Sequence, residues 1–137
     1  MIIDGKDLVM GRVCTFAAKK ALLGEKVDIV NCEHMIITGN RDHIFSEIKR
    51  RKDMGTYKGP HLFRVPDRFV RRTVRGMLPY KQPRGMAALK KIMCYRGVPE
   101  GFKSLKLETI PEANVSKMAN LKYVTVGDVC KHLGGKV

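Results

Sequence analysis

Four arginines in the middle of the chain have a spacing that suits phosphate binding. Arg68, Arg71, Arg72 and Arg75 would fall within an arc of about 100° on a helix. A guanidinium group pairs with a phosphate through a planar fork, whereas a lysine offers a point charge. A solvated helix face stabilised by ion pairs would need acids, and only Asp67 is near. The spacing therefore predicts contact with phosphates.

The charge of the whole chain points to the same kind of partner. Its 137 residues carry 27 Lys and Arg against 13 Asp and Glu, a net charge of +14. Residues 41–103 hold 17 basic and 5 acidic residues, whereas the two ends together are close to neutral. The length predicts a single domain, 1–137, with a basic interaction region at about 41–103. So much unbalanced charge predicts a polyanionic partner, with nucleic acid favoured over an anionic membrane surface.

Signals for a membrane span, a leader, catalysis or a metal are weak. No apolar run approaches about 18 residues, and the start lacks a basic segment followed by an apolar one. The turn from Gly5 to Arg12 matches neither glycine-rich phosphate-binding pattern. Cys32 and His34 have ligand spacing but no second pair near them. The residues thus predict that the chain has no catalytic site, metal or cofactor. They also predict that the four cysteines are free and buried, as in a cytoplasmic protein.

The pattern of apolar residues predicts an α/β fold that positions the arginines. Strands are predicted at 1–3, 27–30, 35–37, 92–95 and 123–124, and helices at 11–23, 43–52, 67–77, 85–92 and after Thr125. Strands alternating with helices favour a mainly parallel sheet with helices on both faces. In the helix at 67–77, the side opposite the arginines is apolar, with Phe69, Val70, Val74 and Met77.

Two further segments near this helix are also candidates for contact. Pro79 and Pro83 stiffen a basic turn that carries Tyr80, Lys81 and Arg84. Tyr80 is equally suited to stacking on a base or to covering the edge of the core. The loop at 55–61 contains two glycines that would let the backbone approach a phosphate chain.

Two longer motifs resemble those of a known family. The first runs from Gly11 to Gly39, with matching positions at Gly11, Arg12, Thr15, Ala18, Lys19, Leu22 or Leu23, Gly24, Val30, Asn31, Thr38 and Gly39. The second is centred on VRGMLP at Val74 to Pro79. Together they resemble the L thirteen family of large-subunit ribosomal proteins over about 1–99. Cys32 departs from the usual small residue, and an end at Val137 without a long basic extension points to the archaeal type.

The resemblance implies a fold, a partner and a set of contact residues. It implies a three-layer α/β/α fold with a four-stranded, mainly parallel sheet. It also implies a non-catalytic protein of cytoplasmic ribosomes that binds large-subunit (23S-type) ribosomal RNA and supports early subunit assembly. Its implied neighbours are other ribosomal proteins, and no membrane or small-molecule partner is implied. RNA contact is expected at Arg64, Arg68, Arg71, Arg72, Arg75, Lys81 and Arg84, and also at Lys49, Arg50, Arg51, Lys52 and Lys58.

Two other classes of function stay open at this point. One is a nucleotide-binding α/β enzyme that uses the turn from Gly5 to Arg12, because that turn lies between a predicted strand and a predicted helix. The other is a regulatory protein that binds DNA or messenger RNA, because a basic surface attracts any nucleic acid.

Overall fold

The computed structural model describes residues 1–55, 58 and 62–137. The strands are β1 (Ile2–Asp4), β2 (Val27–Val30), β3 (Ile36–Thr38), β4 (Ile92–Cys94) and β5 (Tyr123–Thr125). The helices are α1 (Met10–Leu22), α2 (Arg41–Asp53), α3 (Pro66–Met77), α4 (Pro83–Lys90) and α5 (Val126–His132). The predicted order of strands and helices is confirmed, with ends that differ by one or two residues in most elements.

The strands form two sheets, so the predicted four-stranded sheet is wrong. β1, β2 and β4 form a three-stranded parallel sheet in the order β1-β2-β4. β3 and β5 pair antiparallel with each other, with Ile36 opposite Thr125. Only a short 3-10 turn, Cys32–His34, separates β2 from β3. A parallel crossover needs about a dozen residues or more, so β3 cannot lie parallel to β2 as its neighbour.

A main core joins the parallel sheet to four helices, α1, α3, α4 and α5. α1 contributes Val13, Cys14, Ala17, Ala18 and Ala21, all buried. These residues are small, so neighbouring elements pack closely against this helix; α1 contacts both α3 and α4. Buried side chains of α3, α4, α5 and the three strands belong to the same cluster. The placement of helices on both faces of the sheet stays a prediction.

A second, smaller core fixes α2 and α5. It consists of Ile44, Ile48, Val124, Val129 and Leu133. Thr125 caps α5, because its hydroxyl accepts a hydrogen bond from the Asp128 backbone N–H at 3.1 Å. The helix predicted after Thr125 is confirmed.

The segment at 97–120 is irregular, and it closes the N-terminal part of the fold. It contains three short 3-10 turns: Glu100–Phe102, Pro111–Ala113 and Val115–Lys117. Val9 donates a backbone hydrogen bond to the Ala113 carbonyl at 2.8 Å. Val115 donates to the Asp7 carbonyl at 3.0 Å. The turn before α1 is therefore tied to residues that lie about a hundred positions later.

The described part of the chain contains no helix with the length and apolar character needed to cross a bilayer.

Candidate nucleic-acid interface

The four arginines of α3 lie on the side of the helix that faces away from the core. Val70 and Val74, on the opposite side of the helix, are fully buried in the core. Pro66 occupies the first turn, where its missing N–H costs nothing. Arg68 and Arg75 are exposed, and Arg71 and Arg72 are half-buried. We call Arg68, Arg71, Arg72 and Arg75 the arginine stripe.

The arginine stripe carries unbalanced positive charge. Among the described residues, no carboxylate lies within the 4.0 Å of an ion pair to any of its four guanidinium groups. The Asp67 carboxylate instead accepts a hydrogen bond from the backbone N–H of Arg68 at 2.7 Å. The predicted apolar side is confirmed for Val70 and Val74, and Phe69 is half-buried. Met77 was also predicted to lie on the apolar side, but it is 42% exposed, and the next residue, Leu78, is buried instead.

Arg71 differs from the other three because it also holds two helices together. Its Nη2 donates to the Leu89 carbonyl of α4 at 3.4 Å. Its Nε is buried and has no hydrogen-bond partner among the described residues. Arg71 is thus a structural residue as well as a candidate contact.

Two arginines of the stripe rest on aromatic rings. The Arg72 guanidinium carbon lies 5.8 Å from the centre of the Phe63 ring. That of Arg75 lies 5.0 Å from the centre of the Tyr80 ring. Exposed cation–π contacts contribute about 0.5–1 kcal/mol each. They restrict the rotamers of both arginines, so less side-chain entropy is lost when a phosphate binds.

The stripe surrounds a concave site, which we call the arginine hollow. The volume of this hollow is about 370 Å³. The hollow is lined by the four arginines of the stripe together with Phe63 and Leu89. Its lining therefore combines four positively charged side chains with two apolar ones.

The basic end of α2 adjoins this hollow. A second depression of about 270 Å³ is lined by Arg51, Lys52, Met54, Gly55, Leu62 and Arg72. Since Arg72 lines both depressions, the structure brings together two basic groups that are about twenty residues apart in sequence. Of the predicted loop at 55–61, only Gly55 and the exposed Lys58 belong to the described residues.

The basic residues of α2 are not equivalent. Glu47 accepts hydrogen bonds from Arg50 and from Arg51, each at 2.9 Å. These bonds lower the pKa of Glu47 from its ordinary 4.5 to about 2. The Lys52 ammonium group donates to the Leu133 carbonyl at 3.5 Å. Lys49 is exposed and forms no ion pair with any described residue, so its charge is more available than that of Arg50 or Arg51.

The turn between α3 and α4 is held by a close backbone contact. A methyl group at Gly85 would collide with the carbonyl group of Pro79 and would lie 2.9 Å from the Tyr80 nitrogen. Only glycine lets the turn pack this tightly on α4. Lys81 lies in this turn and Arg84 in the first turn of α4, and both are exposed. Tyr80, 39% exposed, covers Arg75 rather than the core.

Arg64 is held at the other end of the stripe. Its side chain is exposed, and its backbone packs on the end of α5, where a methyl group at Gly135 would collide with the Arg64 carbonyl group. All twelve predicted contact residues are thus described, and those that border the arginine hollow or the depression beside it are Arg51, Lys52, Arg68, Arg71, Arg72 and Arg75.

Comparison with protein families identifies the chain. The family described as Ribosomal protein L13 matches residues 1–101. The chain belongs to that family. The matched segment contains the arginine stripe, the turn after it and every other predicted contact residue.

Relatives within the L13 family extend the similarity over nearly the whole chain. The chain is similar to the large ribosomal subunit protein uL13 of Methanococcoides burtonii, with 41% identity over 98% of each chain. It is 42% identical to the protein of that name from Methanococcus maripaludis, over 99% of this chain and 98% of the relative. These are archaeal proteins, in agreement with the archaeal type that the sequence predicts. The family is one of ribosomal proteins, in agreement with the prediction of a chain that is not an enzyme.

An enzyme of the alternative class would bind its nucleotide at the turn from Gly5 to Arg12, but another segment of the chain packs against this turn. Leu8 forms a β-bridge with Asn114, and Arg12 donates to the Glu112 carbonyl at 2.6 Å. The segment at 112–115 therefore lies where a nucleotide would approach the start of α1. Within the described residues, no group of three or more His, Cys, Asp or Glu side chains could hold a metal ion.

Some features of the surface have no signal in the sequence. Phe63 and Leu89 lie far apart along the chain, and nothing in their spacing connects them with the arginines. Similarly, Phe45 stacks on His132, with ring centres 4.6 Å apart, and the Arg41 guanidinium lies 5.3 Å from the centre of the Phe45 ring. Only the packing of α2 on α5 brings these residues together.

Proposed function

We propose that the chain is a structural component of the large ribosomal subunit in the cytoplasm. It binds large-subunit ribosomal RNA and supports early assembly of the subunit beside other ribosomal proteins. We further propose that residues 1–137 act as one domain, and that the RNA-binding surface comprises the twelve residues predicted above, with the arginine stripe at its centre. It needs no cofactor and no small-molecule substrate for this role.

The observation that carries the proposal is the arginine stripe on a rigid helix. Four guanidinium groups face away from the core with no described carboxylate in ion-pair range. Such an arrangement repels itself when the protein is alone, and it is stabilised when a polyanion supplies the missing charge. The names of the relatives supply the kind of polyanion, because they are called proteins of the large ribosomal subunit.

The proposed mechanism is electrostatic and conformational. Each neutralised phosphate releases condensed counterions, which adds roughly 0.7–0.9 to the slope of log affinity against log salt. Val70 and Val74 fix α3 to the core, so the guanidinium groups hold a set spacing. RNA strands that meet at the stripe are therefore held at that spacing, which favours the assembled shape of a junction over an open one.

Incorporation into subunits tests the proposal directly. We would reverse Arg68, Arg72 and Arg75 to Glu and leave Arg71 unchanged, because Arg71 ties α3 to α4. We expect the variant to fold, as judged by circular dichroism, and to be absent from archaeal large subunits reconstituted from purified components. Normal incorporation would show that the stripe is not the contact surface, and a wild-type chain that stays outside the subunit would refute the function itself.

A control with the same change of charge separates the stripe from net charge. Lys6, Lys106 and Lys117 are exposed and lie outside 41–103. Reversing these three lysines removes as much positive charge as the stripe variant. We expect far weaker effects on incorporation, because these lysines do not surround the arginine hollow.

Selectivity distinguishes this function from regulation through DNA or messenger RNA. A steep salt dependence alone does not, because every phosphate contact produces it. At one fixed salt concentration, we expect the chain to bind archaeal large-subunit ribosomal RNA more tightly than duplex DNA or an unrelated messenger RNA of the same length. Equal affinities would favour the regulatory alternative.

A further inference from the structure

We propose that the arginine hollow takes up a single unpaired guanine of the bound RNA. The base stacks at the ring of Phe63, and the phosphates next to it contact the arginines at the rim. This inference rests on the proposed function, since it names how the same surface recognises RNA.

The lining of the hollow is not what phosphate binding alone requires. Phe63 and Leu89 form apolar parts of its wall, and neither side chain can bind a phosphate. Phe63 is 41% exposed, so its ring is accessible in the free protein. Unpaired bases of RNA are commonly recognised by stacking on aromatic rings and on guanidinium planes. The Phe63 ring and the Arg72 guanidinium, 5.8 Å apart, provide both kinds of surface in one site.

The size of the hollow suits one nucleotide. Its volume of about 370 Å³ lies near the lower end of the range of small-ligand sites, which is roughly 300–1,000 Å³. A double helix is far too wide for such a site, whereas one base that has left its stack is small enough. Arg68, Arg72 and Arg75 line the hollow, which provides positive charge for the backbone of an extruded nucleotide.

The polar groups of the hollow favour guanine over adenine. Arginine side chains offer only hydrogen-bond donors. The carbonyl of the lining residue Leu89 already accepts a hydrogen bond from the Nη2 of Arg71. A base with two adjacent acceptors therefore fits better than one with an exposed amino donor. Guanine has such an edge in its O6 and N7 atoms, and arginine binds this edge through both arms of its fork.

Strands of equal charge test this inference. The probes are strands of about ten abasic ribonucleotides, within the site sizes of single-strand binders, with a central guanine, a central adenine or no base. All three have the same phosphates, so electrostatic binding is equal. We expect the guanine strand to bind about tenfold or more tightly than the base-free strand, which is the scale of one base–aromatic stack, and the adenine strand to lie between them.

Phe63→Leu then assigns the gain to the ring. This variant keeps an apolar side chain, and we expect it to lose most of the guanine gain while its salt slope stays unchanged. Phe102→Leu is the matched control, because Phe102 packs edge-on against Tyr95 and does not line the hollow. We expect Phe102→Leu to retain the guanine gain.

The outcomes separate this inference from the function on which it rests. Equal binding of the three strands by the wild-type chain, or a guanine gain that survives Phe63→Leu, would overturn the base site. Equal affinity for guanine and adenine would overturn the choice of base. In each case, salt-dependent binding to ribosomal RNA would leave the proposed function standing, whereas loss of that binding would remove both.

Discussion

The close contact between Gly85 and the turn after α3 predicts that a larger residue at this position lowers the stability of the fold. In Gly85→Ala, the new methyl group meets backbone atoms of Pro79 and Tyr80 rather than flexible side chains. Backbone cannot rotate away, so either the turn or α4 must move. Overpacking of this kind costs about 1–3 kcal/mol. For a chain of 137 residues, this corresponds to a fall of roughly 3–12 °C in Tm.

Gly76 provides the matched control. It lies in α3, and an added methyl group there meets no atom within 4 Å. Gly76→Ala should therefore show the ordinary gain of alanine over glycine in a helix, about 0.5–1 kcal/mol. The same chemical change, nine positions apart, is thus expected to have opposite effects on stability.

The assay is urea unfolding followed by circular dichroism, with RNA affinity measured at a temperature where both variants are folded. Gly85→Ala should also weaken RNA binding, because displacement of Tyr80 removes the ring on which the Arg75 guanidinium rests. If Gly85→Ala proved as stable as the wild type, or gained as much as Gly76→Ala, the contact with Pro79 would not limit the packing of the turn.

Three further predictions concern charge, burial and capping. The pKa of Glu47 is about 2 in the folded chain, below the ordinary 4.5, so its carboxylate stabilises the fold above pH 4.5 and this contribution is lost as pH falls towards 2. Glu47→Gln should thus flatten the acid limb of the stability curve in urea titrations, and an unchanged limb would contradict the pairing with Arg50 and Arg51. The four cysteines are buried, and burial raises the pKa of Cys14 to about 12. Ellman's reagent should therefore react with no thiol of the native chain and with all four thiols after unfolding. Thr125→Ala removes the cap of α5 and should cost about 1 kcal/mol, whereas Thr125→Ser should cost much less; equal losses would mean that the hydroxyl does not matter.

Secondary structure was largely predictable because its signals are local. Pro66 marks the start of α3, Thr125 caps α5, and Gly24 follows α1 with a φ of +103°. Each of these residues acts through its own backbone or through a neighbour a few positions away. The ends of elements were less predictable, because the first and last turns of a helix depend on what packs against them.

The arrangement of the sheets was not predictable from apolar runs alone. The strand at Ile36–Thr38 is apolar enough to join a parallel sheet, and the resemblance to a family implied a four-stranded, mainly parallel sheet without naming its strands. The deciding feature is the short connection after Val30, which prevents a parallel crossover. Its antiparallel partner, Tyr123–Thr125, lies more than eighty residues away, and no local signal selects such a distant partner.

The candidate site was predictable in its charges but not in its shape. The arginine stripe could be read from the spacing of basic and apolar residues on one helix. The hollow could not, because Phe63 and Leu89 come to it from either side of α3 in sequence. Nor does the sequence distinguish Arg71 from its neighbours, since its bond to the Leu89 carbonyl depends on how α4 packs.

The ties between the start of the chain and the segment at 108–115 have a consequence for the order in which the protein is made. β1 and β2 are complete once Val30 has been synthesised, but the partners of Asp7 and Val9, at Val115 and Ala113, come much later. At about 5–20 residues per second, the interval is roughly 4–17 s. During that time one edge of β1 and the turn before α1 are open, and an open strand edge can pair with other chains. A nascent chain of this protein therefore has a window of several seconds in which a chaperone or an early partner would protect it most.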